Sequence, residues 1–525
     1  MSTLTLEQAT ATGMAIAYHA QKIPNNIAVI SNYGNRTFAE LNDRVNQLAR
    51  VLRSAGLKPD DGVAMLLTNR PEFVEVLYAC QRVGLRVTPI NWHLTGDNAS
   101  YIVENCEAKA LIADARCIQS AIDALNDNRN QVQLALSVGG DIEGFRDYDE
   151  IVNVEEKSNI EDPEIGTQML YTSGTTGRPK GVFRPRLAPE SRISETVTRA
   201  QSAADWKPGH DLCLCTGPAY HAAPLAFNIN GPLVEGVGTV LMDKWDPEET
   251  LRLVDEHKIT HTHMVATMFH RLLALPEETR KKYDVSTMRY VVHGAAPCPV
   301  HVKQAMMDWL GPVVYEYYAA TEGGGGFFIG PEEWLGKPGS VGAAPGADNQ
   351  ILDDAGNEMP TGEVGTIYFK APALRFVYYK DTEKTSGSYR GDYFTLGDMG
   401  YFDEDGYLFL TGRSAETIIS GGVNIYPQET DDVLLKHPAV ADVCTVGVPN
   451  DEWGEEVKSI VQLKPGLETS QATVELLIAF TREHLPGFKT PRTIDFIDDL
   501  PRLPSGKIQR RLVRAPYWAG RDKQI

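Results

Sequence analysis

An α/β fold with a small β unit and a smaller second domain is predicted by three features of this sequence. Runs with helical period alternate with short apolar runs over the first ~180 residues, and again from about Asp211 to Tyr315. From Gly336 the texture changes to short strands joined by Asp-Gly and Gly-Asn turns. After "LTGRSAETIISGG" the α/β alternation resumes for about 110 residues. A chain of 525 residues is too long for one hydrophobic core, so two to four domains are expected.

Each element follows from its pattern. "TFAELNDRVNQLARVLRSAG" spaces Leu41, Val45, Leu48, Val51 and Leu52 at a helical period and stops at Gly56. "GVAMLLTN" then reads as a strand, "PEFVEVLYACQRVG" as a helix and "RVTPIN" as a strand. "DLCLCTG", "TVLMD", "THTHMVA", "RYVVHG" and "PVVYEYY" read as further strands with helices between them. This β-α-β succession implies mainly parallel sheets with helices on their faces. "ILDDAGNEMPTGEVGTIYFKA" and "GYFDEDGYLFLTG" read as hairpins. In "DEDGY" the glycine, Gly406, comes too early for a calcium loop of the EF-hand kind. A boundary at Arg413–Ala415 gives domains of 1–413 and 414–525.

Composition narrows the function. The 42% hydrophobic and 23% charged residues are those of a globular protein, and the net charge of −20 argues against nucleic acid as a partner. The start has no basic region ahead of a long apolar core, and no stretch reaches ~18 apolar residues, so neither a signal peptide nor an integral membrane segment is expected. The seven cysteines are scattered, and Cys213 and Cys215 share one strand face, where buried packing is expected. His261 and His263 alternate on another strand and are read as core residues rather than a metal pair. A cytoplasmic, reducing location fits these features.

One loop carries chemistry by itself. "LYTSGTTGRPKGV", Leu170 to Val182, combines three glycines, four hydroxyl side chains and Lys180. Free backbone N–H groups, short hydroxyl donors and an ammonium make a concave site for a polyphosphate. It is not a Walker A loop, because Lys180 follows Pro179 and precedes Gly181, and it lacks the spaced glycines of dinucleotide folds. The glycines of "TEGGGGFFIG" are read as backbone lying close to a neighbour rather than as a linker.

Seven ordered segments then form one pattern: this loop, "PAYHAAP" around His221, "HGAAP" at 293–297, "YYAATE" at 317–322, "YFTLGD" at 393–398, "GRSAETIISGGVNIYPQE" at 412–429 and "PRLPSGKIQRR" at 501–511. Together, from about residue 10 to 515, they resemble the adenylate-forming enzymes: acyl- and aryl-CoA ligases, amino-acid adenylation domains and firefly luciferase. The flanking segments look most like bacterial ligases for long-chain fatty acids and for steroid or bile-acid side chains. The resemblance implies a large N-terminal domain of two α/β subdomains and a small β subdomain, followed by a small, mobile α+β C-terminal domain.

It also implies two half-reactions. A carboxylate attacks the α-phosphorus of ATP, giving an acyl-adenylate and pyrophosphate; the thiol of coenzyme A then displaces AMP. By this resemblance Thr172, Ser173, Gly174, Thr175, Thr176 and Lys180 cradle the phosphates, and Glu322 with Thr176 holds Mg2+. Thr321 donates to the α-phosphate, and Lys507 bridges substrate carboxylate and phosphate in the first step. Thr321, Glu322, Lys507 and His221 are the expected catalytic residues. Tyr318 faces adenine opposite Gly294, Ala295 and Ala296, within a strand that also brings Glu316, Tyr317 and Ala319. Asp398 takes the ribose hydroxyls with Arg413 beside it. Rotation of the C-terminal domain brings Gly421 and Gly422 to the thiol channel in the second step.

Two positions depart from the family's pattern: Ala415 replaces the usual Asp or Lys at the hinge, and Ala319 stands where glycine is common. The small apolar residues after His221, with Met268 and Phe269 as expected pocket walls, point to a large hydrophobic acid, because each buried methylene is worth ~0.8 kcal/mol. An aryl-acid ligase, an amino-acid adenylating enzyme and a luciferase-like oxygenase share the motifs. A non-catalytic binding protein on this fold is the alternative of another class, and it is disfavoured because Lys180, Glu322 and Lys507 are all present. A homodimer is left open.

Overall fold

Every strand expected between Gly62 and Tyr315 forms, and the parallel sheets follow from their β-α-β order. The computed structural model describes residues 4–94, 97–172, 178–186, 200–371, 375–503 and 506–519.

The helix Phe38–Ser54 shows how local sequence sets an element. Thr37 Oγ1 accepts from Glu40 N at 3.2 Å while Glu40 Oε2 accepts from Thr37 N at 2.8 Å, a reciprocal cap that starts the helix. Leu41, Val45, Leu48 and Leu52 are fully buried on its inner stripe, each contributing roughly 1.5–3 kcal/mol. This face packs on a parallel six-stranded sheet ordered Arg146–Asp147, Leu134–Val138, Ala108–Asp114, Gly62–Leu66, Arg86–Pro89, Thr167–Gln168.

A second sheet of eight strands holds the expected series Gly238–Leu241, Leu212–Cys215, His261–Met264, Tyr290–His293 and Val314–Ala320 in parallel. Strand Ile27–Ser31 joins it beside Gly238–Leu241, and Gly323–Ile329 closes the other edge in antiparallel fashion. The run of glycines is therefore strand, and the neighbour it lies close to is Asn349: a Cβ on Gly325 would stand 2.5 Å from that amide, which donates to the Gly325 carbonyl. Cys213 and Cys215 are fully buried, as are His261 and His263.

The β unit is an antiparallel sheet of Asn349–Leu352, Gly365–Lys370, Tyr393–Phe402, Tyr389–Arg390 and Leu408–Arg413 around a core of Phe327, Phe369, Phe376 and Phe394. A short turn, Ser414–Glu416, follows. Strands from Ile418 onward pair with one another in a last sheet built on Val440–Asn450 and Gly454–Leu463. Among the described residues no helix is long and apolar enough to cross a membrane.

Candidate active site

Strand pairing fixes the first cluster. Ala320 pairs with Gly323, so Thr321 and Glu322 form a two-residue turn at the edge of the eight-stranded sheet. Gly323 sits at φ +121°, a conformation that glycine tolerates and side chains resist. Glu322 Oε1 accepts a hydrogen bond from Tyr378 Oη at 2.8 Å, and Lys180 Nζ lies 5.7 Å from the centre of the same ring. Lys180 is in turn the strand partner of Thr172. Arg184 donates to the Thr321 carbonyl at 3.1 Å; burial pushes its guanidinium below the usual range, and the charge of Glu322 opposes that. Phenol, carboxylate and two cations thus meet where the loop after Thr172 begins and ends. Ser173, Gly174, Thr175 and Thr176 lie outside the described residues.

The second cluster lines a cleft of about 930 Å³ between the sheets and the C-terminal segment. Asp398 and Arg413 are register partners on adjacent strands, and Arg413 Nε donates to Asp398 Oδ1 at 3.0 Å. Tyr318 Oη donates to Oδ2 at 2.7 Å, so both carboxylate oxygens are oriented while each keeps acceptor capacity. Burial disfavours the charge on Arg413, but Asp398 and Glu416 outweigh it and raise its pKa. Ala295 and Ala296 line the same cleft as Tyr318 and Ala319. Gly294 admits no Cβ, which would stand 2.6–2.7 Å from the Tyr317 ring and carbonyl. Ala295 is held at φ +64°, a strained conformation for a residue with a side chain.

Lys507 enters this cleft from the C-terminal segment. Burial lowers its pKa, as does Arg413, while Glu416 and Asp398 raise it. Gly506 beside it is held by Thr267, whose Oγ1 donates to the Gly506 carbonyl at 3.3 Å, and Leu503 N donates to the Lys507 carbonyl at 2.8 Å. A cation is therefore held in a half-dry cleft beside a carboxylate pinned by a phenol and a guanidinium.

Strand alternation separates the remaining members of "YEYYAATE". Glu316 points to a buried ion pair with Lys303 Nζ at 2.7 Å, with His293 Nε2 3.3 Å away. Burial alone would raise the Glu316 carboxyl, but His293 and Lys303 hold it at about 2. Burial lowers the His293 pKa, and the neighbouring Glu316 opposes that shift. Tyr317 points the other way, against Phe227 and His263, whose Nε2 lies 3.2 Å from Tyr317 Oη.

Three expected residues lie apart from both clusters. His221 precedes the short helix Ala222–Pro224, its ring is packed on Tyr220, and burial lowers its pKa to about 4. Gly421, at φ +58°, borders a separate cavity of about 280 Å³ beside Trp453, and Gly422 follows it at φ +80°. The expectation for Met268 and Phe269 is corrected. Both are buried in the core beneath the eight-stranded sheet, and their helix instead turns Thr267, His270 and Arg271 to the cleft. Sequence reading also missed Arg184, Tyr378 and Glu416. Tyr378 is 56 residues from Glu322, and no local pattern marks the contact.

Residues 16–379 match the family of AMP-binding enzymes, and residues 429–507 match the C-terminal domain of AMP-binding enzymes. A fatty acid–[acyl-carrier-protein] ligase, ScoC, of Streptomyces coeruleorubidus is 29% identical over 518 residues, covering 97% of each chain. A 2-succinylbenzoate–CoA ligase of Geobacillus kaustophilus is 33% identical over 491 residues, covering 93% of this chain and 94% of that protein. The structure of ATP-bound MatB from Rhodopseudomonas palustris superposes with a TM-score of 0.81 at 26% identity, covering 96% of this chain and 99% of MatB.

Proposed function

The chain belongs to the family of AMP-binding enzymes, the adenylate-forming ligases, and on that premise we propose that it activates a hydrophobic carboxylic acid with ATP and passes the acyl group to coenzyme A. The observation that carries this reading is that Lys507, from the segment after the Ser414–Glu416 turn, shares a cleft with Asp398, Arg413 and Tyr318.

Adenine would lie on Tyr318 against the Gly294–Ala296 backbone, where the absence of a Cβ at Gly294 keeps the segment tight on Tyr317. Asp398 would accept the ribose hydroxyls, its orientation fixed by Tyr318 and Arg413. Lys180 and the loop after Thr172 would hold the β- and γ-phosphates. Negative charge grows on the α-phosphate as the acid attacks, and Lys507 would neutralise it. Pyrophosphate leaves, and the acyl-adenylate remains.

Glu322 fits a magnesium ion: it is a hard carboxylate with one oxygen steadied by Tyr378, and Mg2+ takes few protein ligands when phosphates supply the rest. Bound there, the ion would supply charge neutralisation at the phosphate oxygens. Arg184 and Tyr378 would keep the Thr321–Glu322 turn in place.

The Ser414–Glu416 turn is the hinge of this proposal, dividing 1–413 from 414–525. Rotation about it would withdraw Lys507 and bring Gly421 and Gly422 to the acyl-adenylate for thiol attack. The relatives include ligases for a fatty acid and for an aryl acid, which makes the acid the first unknown to test. Pyrophosphate release and acyl-CoA formation should be measured across a panel of fatty, steroid-type and aryl acids, ranked by kcat/KM. Long apolar acids should lead. Preference for aryl acids would overturn the substrate class, and no acid-dependent pyrophosphate release would overturn the ligase reading.

A further inference from the structure

Seven basic residues on the side of the cleft lined by two helices and the C-terminal segment, called the outer cleft below, are not among those assigned to the reaction. One wall is the helix Ala266–Leu273 with the start of the helix Val300–Leu310, and it brings His270, Arg271 and His301. The C-terminal segment brings Lys436 and His437 from after the helix Pro427–Leu434, Lys464 from the end of the strand Gly454–Leu463, and Arg502 from the connection beyond Thr493–Phe496. These are four permanent cations and three imidazoles in a protein of net charge −20. The one acid among them, Asp442, is already ion-paired with Arg502. The other acids of the cleft have partners elsewhere: Glu316 pairs with Lys303, Asp398 with Arg413, and Glu416 and Asp431 with Arg510.

Arg502 also donates to the Gly506 carbonyl at 2.6 Å and to Thr267 Oγ1 at 3.2 Å, and Arg271 lies 6.0 Å from the centre of the Trp245 ring, contacts that bring no counter-charge. Among the described residues no carboxylate forms an ion pair with Arg271, Lys436 or Lys464, although Asp432 feels the charge of Lys436, and His301 Nδ1 is buried without a hydrogen bond. Their mutual repulsion is registered by the groups themselves. After burial, the influences that lower His270 are Lys464, His301, Arg502 and Arg271, and Arg502 is lowered to about 10 by burial and by Arg271. Gathering like charges in one cleft is unfavourable, and a counter-anion between them relieves the repulsion.

We infer that this outer cleft binds a small phosphate-bearing anion, gripped from both walls at once. The exposed Lys436, Lys464 and Arg271 form its rim, and the half-buried His270, His301, His437 and Arg502 form its floor. Imidazole N–H, ammonium and guanidinium donors at several angles suit the oxygens of a phosphate group. Because the walls belong to opposite sides of the Ser414–Glu416 turn, the anion stabilises the orientation in which Lys507 faces Asp398. This inference is independent of which acid the enzyme activates.

Titration calorimetry of the full chain with inorganic pyrophosphate tests it. The wild type should bind one equivalent more than a H270Q/H301Q/K464Q variant, since the loop that begins after Thr172 is intact in both. Loss of these donors should weaken the site by at least on the order of 100-fold. Pyrophosphate should also slow proteolysis at the Ser414–Glu416 turn more in the wild type than in the variant. Equal stoichiometry and affinity in the two proteins would overturn the inference. Binding of adenosine 3′,5′-bisphosphate alongside pyrophosphate would support a phosphate site open to nucleotides. Binding of that nucleotide with no second pyrophosphate site would overturn the inference, because recognition would then rest on the nucleoside. The variant relieves repulsion, so its Tm without anion should be no lower than that of the wild type. K464R, which keeps the charge, should retain binding; a K464R protein that folds but loses the site would overturn the inference too.

Discussion

Lys507→Ala should separate the two half-reactions. The ammonium sits in a cleft dry enough to lower its pKa, close to Asp398 and Arg413. At an effective dielectric of about 20, a unit charge about 4 Å from a developing negative charge contributes ~4 kcal/mol. Part of that attraction is already present in the bound ground state, so the barrier should rise by roughly 3–4 kcal/mol, or ~10²–10³ in rate. Acid-dependent ATP–pyrophosphate exchange measures the first step. Thiolysis of a supplied acyl-adenylate by coenzyme A measures the second, and it should be largely intact because Lys507 is not required there. Equal losses in both steps, or an exchange rate lowered less than tenfold, would refute the role given to this residue.

Ala415→Pro should hold the Ser414–Glu416 turn in its present form, since proline fixes φ near −65°, a value that 3₁₀ turns already use. Pyrophosphate release should survive while acyl-CoA formation falls by orders of magnitude; unimpaired acyl-CoA formation would show that the hinge lies elsewhere. Gly294→Ala would set a methyl 2.6–2.7 Å from the Tyr317 ring and carbonyl, and should lower both nucleotide affinity and Tm. An unchanged KM for ATP would contradict the placement of adenine. Burial lowers His221 to about 4 and His263 to about 3, so the unfolded chain binds more protons than the native one below pH ~6.5. Their stabilising contribution is complete above pH ~6.5 and is lost as pH falls toward 4, by roughly 3 kcal/mol for His221. His221→Asn should therefore flatten Tm against pH between 6.5 and 4, as scanning calorimetry would show.

The fold was legible where pattern and burial agree. The helix Phe38–Ser54 and the strands from Leu212 to Ala320 follow their periodicities because one face of each is core. Asp398 and Arg413 could be matched as motif residues, and register then made them neighbours. Met268 and Phe269 show the limit: an apolar helix face says that something apolar covers it, not whether that is protein or ligand. Lys303 was invisible for the opposite reason. A lysine on a helix reads as solvated, and only the fold reveals Glu316 waiting beneath it. Tyr378 and Arg184 reach the Thr321–Glu322 turn from elements distant in sequence, where no spacing rule applies.

The pairing of strand Ile27–Ser31 with Gly238–Leu241 has a consequence for biosynthesis. Val29 meets Thr239, about 210 residues later in the chain. A ribosome adding roughly 5–20 residues per second leaves that apolar edge without its partner for about 10–40 s. The first subdomain to emerge cannot finish its own neighbour, so the two α/β layers are committed to maturing together. During that interval "IAVIS" is an open β edge of the kind that chaperones shield and that aggregation exploits. A nascent chain stalled before Gly238 should accordingly be captured by such factors, and one stalled well beyond Leu241 should be released.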